Sequence, residues 1–314
     1  MPEVSPWRII FFGSAEFSLP ALKALSRGPD QVVLAVTPPP APAGRGRKLR
    51  PSPVAGEAGR LGLAHLEAKS LKNPETLNKI RKARPDLLVV AAFGAFLPEE
   101  LLTLGPHPPL NIHPSLLPRH RGAAPVNWSL IQGDSEVGVS IIFLEKEMDA
   151  GPILSQSSFP RQSSEGAAAW ESRLAEAGAR DLMKVIADLK QGTAVPRPQN
   201  QALATVNRLL RKEDGRVDFS RPAAELAGLI NGVDPWPGAQ SSFKGKNLKL
   251  FGASAVDDPD QTSPPGRVRG PGPNGQLLVA TGRGLLSLSE IQPEGKKRMP
   301  AADFLRGYRP ERLG

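Results

Sequence analysis

Five short apolar runs in the first half of the chain constrain the fold most: Trp7 to Phe12, Val32 to Thr37, Leu87 to Ala92, Leu110 to Ile112 and Val137 to Phe143. Each has strand length and a composition suited to burial, and each is followed by turn residues or by a segment with helical spacing. Helices are expected between them at Pro20 to Ser26, Glu75 to Lys82 and Pro125 to Ile131. Such alternation predicts an α/β domain with a Rossmann-like, largely parallel sheet and helices on both faces. A long helix from Glu165 to Gln191, stopped by Gly192, sets Trp170, Leu174, Leu182, Val185, Ile186 and Leu189 on one side and should close this domain. Ligands of open α/β sheets bind beyond the carboxyl ends of strands. Gly13, Phe93-Gly94, Asn111, His113 and Asp149 are all expected there.

The texture changes after Gly192. Thr193 to Asn200 contains Pro196 and Pro198 and has no apolar period, which reads as a linker. Beyond it, Phe243 to Phe251, Gly266 to Arg269, Gln276 to Thr281 and Leu285 to Ile291 read as short strands among glycine-rich turns, with Asn274-Gly275 a favourable hairpin turn. This pattern fits a smaller β-barrel domain, oligonucleotide-binding-like, and equally an SH3-like barrel or an irregular sandwich. With 314 residues, two domains are expected: 1–192 catalytic, 193–207 linker, 208–314 barrel.

Composition removes several kinds of chemistry. The chain has no cysteine, which excludes disulfides and thiol nucleophiles, and its four histidines (His65, His107, His113, His120) lack metal-ligand spacing, so no metal is expected. A net charge of +9 favours a polyanionic partner. No apolar stretch approaches the ~20 residues of a membrane span, and the first strand begins close to the start methionine, so a cytoplasmic protein without membrane association is expected.

The most informative local pattern is Asn111-Ile112-His113-Pro114-Ser115-Leu116-Leu117-Pro118, followed by Asp149 in Met-Asp-Ala-Gly. In an extended chain Asn111 and His113 share a face while Ile112 points into a core. Pro114 and Pro118 bias the residues before them away from helix, so Ser115 to Leu117 should form a fixed, extended loop. Attack of an amine on a carbonyl builds negative charge on oxygen and sheds a proton from nitrogen. An amide can donate to that oxygen. An imidazole can donate to it when charged or take a proton when neutral, and a carboxylate can orient the imidazole or relay the proton. Taken singly, a turn-pinning Asn, a half-buried His and a capping Asp are ordinary structural features; the three together at strand ends suggest acyl transfer. Phe11-Phe12-Gly13-Ser14 ends the first strand, but Gly-x-Gly-x-x-Gly is missing, which disfavours dinucleotide binding. The loop from Pro38 to Pro53 carries Arg45, Arg47, Lys48 and Arg50 with no acidic residue, and either tracks a phosphate backbone or is simply solvated. Lys296-Lys297-Arg298 is a weaker signal of the same kind, and Trp236 between two prolines is expected to be a packing anchor for the domain interface, with nucleotide stacking the lesser alternative.

On these residues the chain resembles the methionyl-tRNA formyltransferases. The resemblance runs from Arg8-Ile9-Ile10-Phe11-Phe12-Gly13 through Ala43-Gly44-Arg45-Gly46, Asn111 to Pro118, Arg121-Gly122-Ala123-Ala124-Pro125 and Asp149-Ala150-Gly151, to Lys212-Glu213-Asp214-Gly215-Arg216, Pro235-Trp236-Pro237 and Arg298 to Leu305. It implies transfer of the formyl group of 10-formyltetrahydrofolate to the α-amino group of initiator methionyl-tRNA, with no obligatory protein partner. It also implies that Asn111, His113 and Asp149 are catalytic and that Ser115, Leu116, Leu117 and Pro118 lie along the folate. Phe93 and Gly94 would border the pterin pocket, the basic loop with Arg45 would meet the tRNA acceptor arm, and the second domain would be an oligonucleotide-binding barrel. Two positions depart from the pattern: Pro40-Ala41 stand where the family usually has Asp-Arg, and Glu147 where it usually has Gly. A formyltransferase acting on a small amine would need neither the basic loop nor the second domain, and an RNA-binding protein with a dead catalytic half would have no use for an intact Asn, His and Asp set.

Overall fold

A computed structural model describes residues 5–43, 48–161, 164–258 and 262–314. The chain divides into two compact units. The first comprises 1–122, 138–158 and 171–206; the second comprises 123–137, 159–170 and 207–314.

The first unit is built on a seven-stranded sheet. Its strands and helices begin with β1 (Arg8–Gly13), α1 (Leu19–Arg27), β2 (Gln31–Thr37), the hairpin β3 (Ala41–Ala43) and β4 (Lys48–Arg50), α2 (Pro53–Arg60), β5 (His65–Glu67) and α3 (Pro74–Lys82). There follow β6 (Leu87–Ala91), α4 (Glu99–Leu102), β7 (Leu110–His113), the two-residue β8 (Arg121–Gly122), α5 (Pro125–Ile131), β9 (Glu136–Phe143), β10 (Ile153–Pro160) and α6 (Ala167–Gln191). Of these, α5 and the flanking ends of β9, β10 and α6 group with the second unit. The sheet order is β10-β9-β7-β6-β1-β2-β5. The β1, β2, β5, β6 and β7 pairings are parallel and the β7–β9 pairing is antiparallel.

Strands β1 and β6 are buried almost throughout, which is why they read as unbroken apolar runs. Helix starts follow local chemistry: Ser52 accepts from Ala55 N (3.1 Å) and Asn73 from Glu75 N (2.8 Å), each just before a proline that begins the helix. At the other end of α6, Gly192 takes φ 69°, as a left-handed C-terminal residue. Gly178 of α6 lies so close to the sheet that a Cβ there would sit 2.6 Å from Ile112 Cγ2. That contact seats the helix under β7 and leaves the opposite face of β7, with Asn111 and His113, for chemistry. The expected linker is not free chain, since 193–206 groups with the first unit and Arg197 exchanges two backbone hydrogen bonds of 2.8 Å with Ile153.

The short β11 (Val206–Asn207) falls at the boundary between the units, and the second unit adds α7 (Ala223–Gly232), β12 (Ala239–Phe243), β13 (Lys246–Val256), β14 (Val268–Pro271), β15 (Leu277–Ala280), β16 (Leu285–Pro293), β17 (Met299–Pro300) and α8 (Ala301–Tyr308). Its sheet is antiparallel, in the order β12-β13-β16-β15-β14, with β17 beside β16. The expected single strand from Phe243 to Phe251 is two strands, because Lys244 (φ 50°) and Gly245 (φ 73°) turn the chain back on itself. The last residues link the two sheet edges: Leu313 N donates to Gly266 O and Val268 N to Glu311 O beside β14, while Gly314 N donates to Ser242 O of β12. Joining the edges this way satisfies backbone groups that an open sheet would expose. Leu226, Ile230, Leu250, Val279, Leu288 and Phe304 form the core. Trp236, expected as a packing anchor, is instead 58% exposed on the turn between α7 and β12. Among the described residues no helix is long and apolar enough to cross a membrane.

Candidate active site

Register places the ends of three parallel strands side by side, Gly13 opposite Ala91 and Ala91 opposite Ile112. Asn111 and His113 both lie on β7 and both are buried. Asp149 comes from the loop between β9 and β10, in left-handed backbone at φ 51°, a conformation Asp tolerates better than most residues. Gly151 fixes the return of that loop, because a Cβ on it would lie 2.0 Å from Phe143 O.

The three side chains meet at the Asp149 carboxylate. Asn111 Nδ2 donates to Asp149 Oδ1 at 3.3 Å, and Gly122 N donates to Oδ2 at 2.8 Å. His113 Nδ1 lies 3.6 Å from Oδ2, with the carboxylate only 12% exposed. His113 Nε2 lies 2.9 Å from His120 O. A carbonyl only accepts, so Nε2 carries hydrogen, and Nδ1 is the ring nitrogen that faces the Asp149 carboxylate. Asn111 has a second amide hydrogen beyond the one directed at Asp149. The cluster therefore offers a neutral donor, an imidazole nitrogen and an oriented carboxylate within one span of hydrogen bonds.

The Ser115–Pro118 loop is held from behind. Ser140 Oγ donates to Ser115 O at 2.6 Å, Ser115 Oγ donates to Arg119 O at 2.8 Å, and Gln156 Nε2 donates to Leu117 O at 2.8 Å. Ser115 and Leu117 are buried, while Leu116 and Pro118 are partly exposed. Phe93 packs edge-on against Phe12 in the core, with ring centroids 5.5 Å apart, whereas Gly94 is exposed at φ 83°. Lys48 and Arg50 stand exposed on β4, flanking Leu49 at 69% exposure. Arg45 and Arg47 lie outside the described residues.

Sequence reasoning missed the backbone of His120 and Gly122 as partners of the cluster, and it missed Gln199, which lies in the expected linker. Gln199 Nε2 donates to the carbonyls of Asp149 (2.7 Å) and Gly151 (2.8 Å). Its Oε1 accepts from Arg121 Nε (3.1 Å) and Nη2 (2.7 Å). Glu147, at one of the departing positions, brings Oε1 to 3.6 Å from Arg121 Nη1. No periodicity marks a side chain whose partners are all backbone carbonyls and a distant arginine.

Residues 7–186 match the formyl transferase family and residues 209–309 match the formyl transferase C-terminal domain. The methionyl-tRNA formyltransferase of Desulfotalea psychrophila is 44% identical over 300 residues, covering 96% of this chain and 92% of the relative. That of Geobacter sulfurreducens is 39% identical over 310 residues, covering 98% of this chain and 96% of the relative. Among solved structures, an N-formyltransferase from Helicobacter canadensis in complex with folinic acid and dTDP-3-aminofucose gives a TM-score of 0.66 at 13% identity, covering 91% of this chain and 99% of that one. HypX from Aquifex aeolicus in complex with tetrahydrofolic acid gives 0.61 at 19% identity, covering 96% of this chain and 47% of that one. These two likenesses are of fold. Identities of 39–44% over nearly the full length, together with the two matched domains, give one conclusion: the chain belongs to the methionyl-tRNA formyltransferase family.

Proposed function

We propose that Asn111, His113 and Asp149 transfer the formyl group of 10-formyltetrahydrofolate to the α-amino group of initiator methionyl-tRNA. The observation that carries this reading is the shared carboxylate, with Asn111 Nδ2 at 3.3 Å and His113 Nδ1 at 3.6 Å from the two oxygens of Asp149. The neutral amine attacks the formyl carbon, a C–N bond forms, and the carbonyl electrons move onto oxygen. The second N–H of Asn111 stabilises that oxyanion, and His113 acts through Nδ1. Collapse breaks the bond to N10 of the donor; the amine gives up a proton and N10 gains one, leaving the formylated amine and tetrahydrofolate. A free α-amino group has a pKa of about 7.7 to 8.0, and a neighbouring ester lowers it, so the base need not be strong. Orientation and oxyanion stabilisation supply most of the acceleration.

In this reading Gly94, Leu116 and Pro118 have the exposure to touch the folate, while Phe93, Ser115 and Leu117 shape its pocket from behind. Lys48 and Arg50, with Arg45 and Arg47 of the same loop, meet phosphates of the acceptor arm. Formylation of charged initiator tRNA with 10-formyltetrahydrofolate tests the assignment. His113→Ala should lower kcat by about 10²-fold or more and leave KM for tRNA nearly unchanged. Wild-type turnover in that variant would overturn the reading.

A further inference from the structure

We infer that Gln199 is a positioning residue for formyl transfer, a clamp that holds the Asp149 turn from the segment connecting the two matched domains. The inference rests on the assignment of Asp149 to the reaction. Asp149 needs left-handed backbone (φ 51°) to aim its carboxylate at Asn111 and His113, and such backbone persists only where its surroundings over-determine it. The Gln199 amide spans the turn, donating to the carbonyl of Asp149 at 2.7 Å and to that of Gly151 at 2.8 Å. Arg121 decides which way the amide faces. Guanidinium nitrogens only donate, so the two bonds from Arg121 require Oε1 on its side and leave both amide hydrogens for the carbonyls. Both side chains are buried, Arg121 at 3% and Gln199 at 8% exposure, where an unmade hydrogen bond is costly.

The same segment also holds the opposite side of the cluster. Thr205 Oγ1 accepts from His120 N at 2.8 Å, Thr205 O accepts from Arg121 N at 2.9 Å, and Thr205 N donates to Pro118 O at 3.3 Å. These bonds order the stretch whose His120 carbonyl receives His113 Nε2–H and whose Gly122 N–H reaches Asp149. Connecting chain thus holds the Asp149 turn on one side and the His120–Gly122 stretch on the other.

Two variants of the full chain, with Asp149→Asn run beside them, test the clamp. Gln199→Leu keeps the volume and removes both donors; kcat should fall about 10²-fold, the scale of a small misplacement of a reacting group, with KM for tRNA nearly unchanged. Gln199→Glu keeps the acceptor for Arg121 but, when ionised, turns an oxygen toward two carbonyls; when protonated it can donate to one of them. The charged groups around it are Arg121, Asp149 and Glu147. At about pH 7 to 8 the kcat of Gln199→Glu should fall at least as far as that of Gln199→Leu, although the volume and the bond to Arg121 are kept, which a purely packing role would not produce. Wild-type kcat in Gln199→Leu or in Gln199→Glu would overturn the inference. If Asp149→Asn itself keeps wild-type turnover, the failure belongs to the catalytic assignment instead; if it is inactive while Gln199→Leu is unimpaired, only the clamp fails.

Discussion

The cluster around Asp149 and the hairpin β3–β4 belong to the same unit and are built in opposite ways. At the cluster the carboxylate is 12% exposed, accepts hydrogen bonds from Asn111 and Gly122, and has its own backbone carbonyl tied to Gln199. On the hairpin, Lys48 and Arg50 are exposed and Leu49 is 69% exposed. The difference matches the two tasks proposed for them. Stabilising an oxyanion demands donors fixed to a fraction of an ångström, whereas gathering a phosphate backbone needs only cations that can adjust to it.

Substitutions in the two regions should therefore split cleanly between kcat and binding. The largest effect is expected at the cluster: Asp149→Ala removes the acceptor shared by Asn111 and Gly122 and faced by His113, and should lower kcat by about 10³-fold or more, read by steady-state formylation. Next, Gly151→Ala forces a Cβ to within 2.0 Å of Phe143 O and should cost about 1–3 kcal/mol of stability, measured as a lowered denaturation midpoint, with turnover falling as the Asp149 loop shifts. A smaller and different effect is expected at the hairpin, where Lys48→Ala with Arg50→Ala should raise KM for tRNA about tenfold and flatten its salt dependence by about one unit of log–log slope per cation removed, with kcat held. A large kcat loss there would break the comparison.

The smallest effect is expected in the second unit. Asp214 accepts two hydrogen bonds from the Arg208 guanidinium, at 2.8 and 2.6 Å, and one from Arg211 N at 2.6 Å. The Arg208 hydrogen bonds lead in holding its carboxyl below the usual carboxylate range. A folded-state value below the unfolded one means that the stabilisation is present at neutral pH and lost as pH falls through the folded value. Asp214→Asn should thus lower the denaturation midpoint at pH 7 and lose its effect in acid; a shift that is the same at both pH values would contradict this.

What the sequence made legible follows the same division between local and tertiary causes. β1, β2 and β6 could be read within a residue or two because strands inside a parallel sheet are apolar over most of their length, and β7 because Leu110 and Ile112 alternate with Asn111 and His113. β10 escaped notice because it is the edge strand on that side of the sheet, and its Leu-Ser-Gln-Ser-Ser stretch is only partly buried. α7 was missed although it is nearly all buried, since a helix apolar on every side has no stripe to detect. Asn111, His113 and Asp149 were legible from residue type and position, and the structure brings them together. Gln199 was not, because its role is set by carbonyls distant in sequence and by no local pattern.

In the proposed reading the transfer step belongs to the cluster and tRNA capture to the hairpin. Its most direct test is a rapid-quench measurement of formyl transfer in a single turnover, with tRNA and 10-formyltetrahydrofolate both saturating, so that binding no longer contributes. Asn111→Ala should be slower than wild type by about 10²- to 10³-fold, while Lys48→Ala with Arg50→Ala should match wild type. A wild-type rate in Asn111→Ala, or a comparable loss in the hairpin variant, would contradict the account.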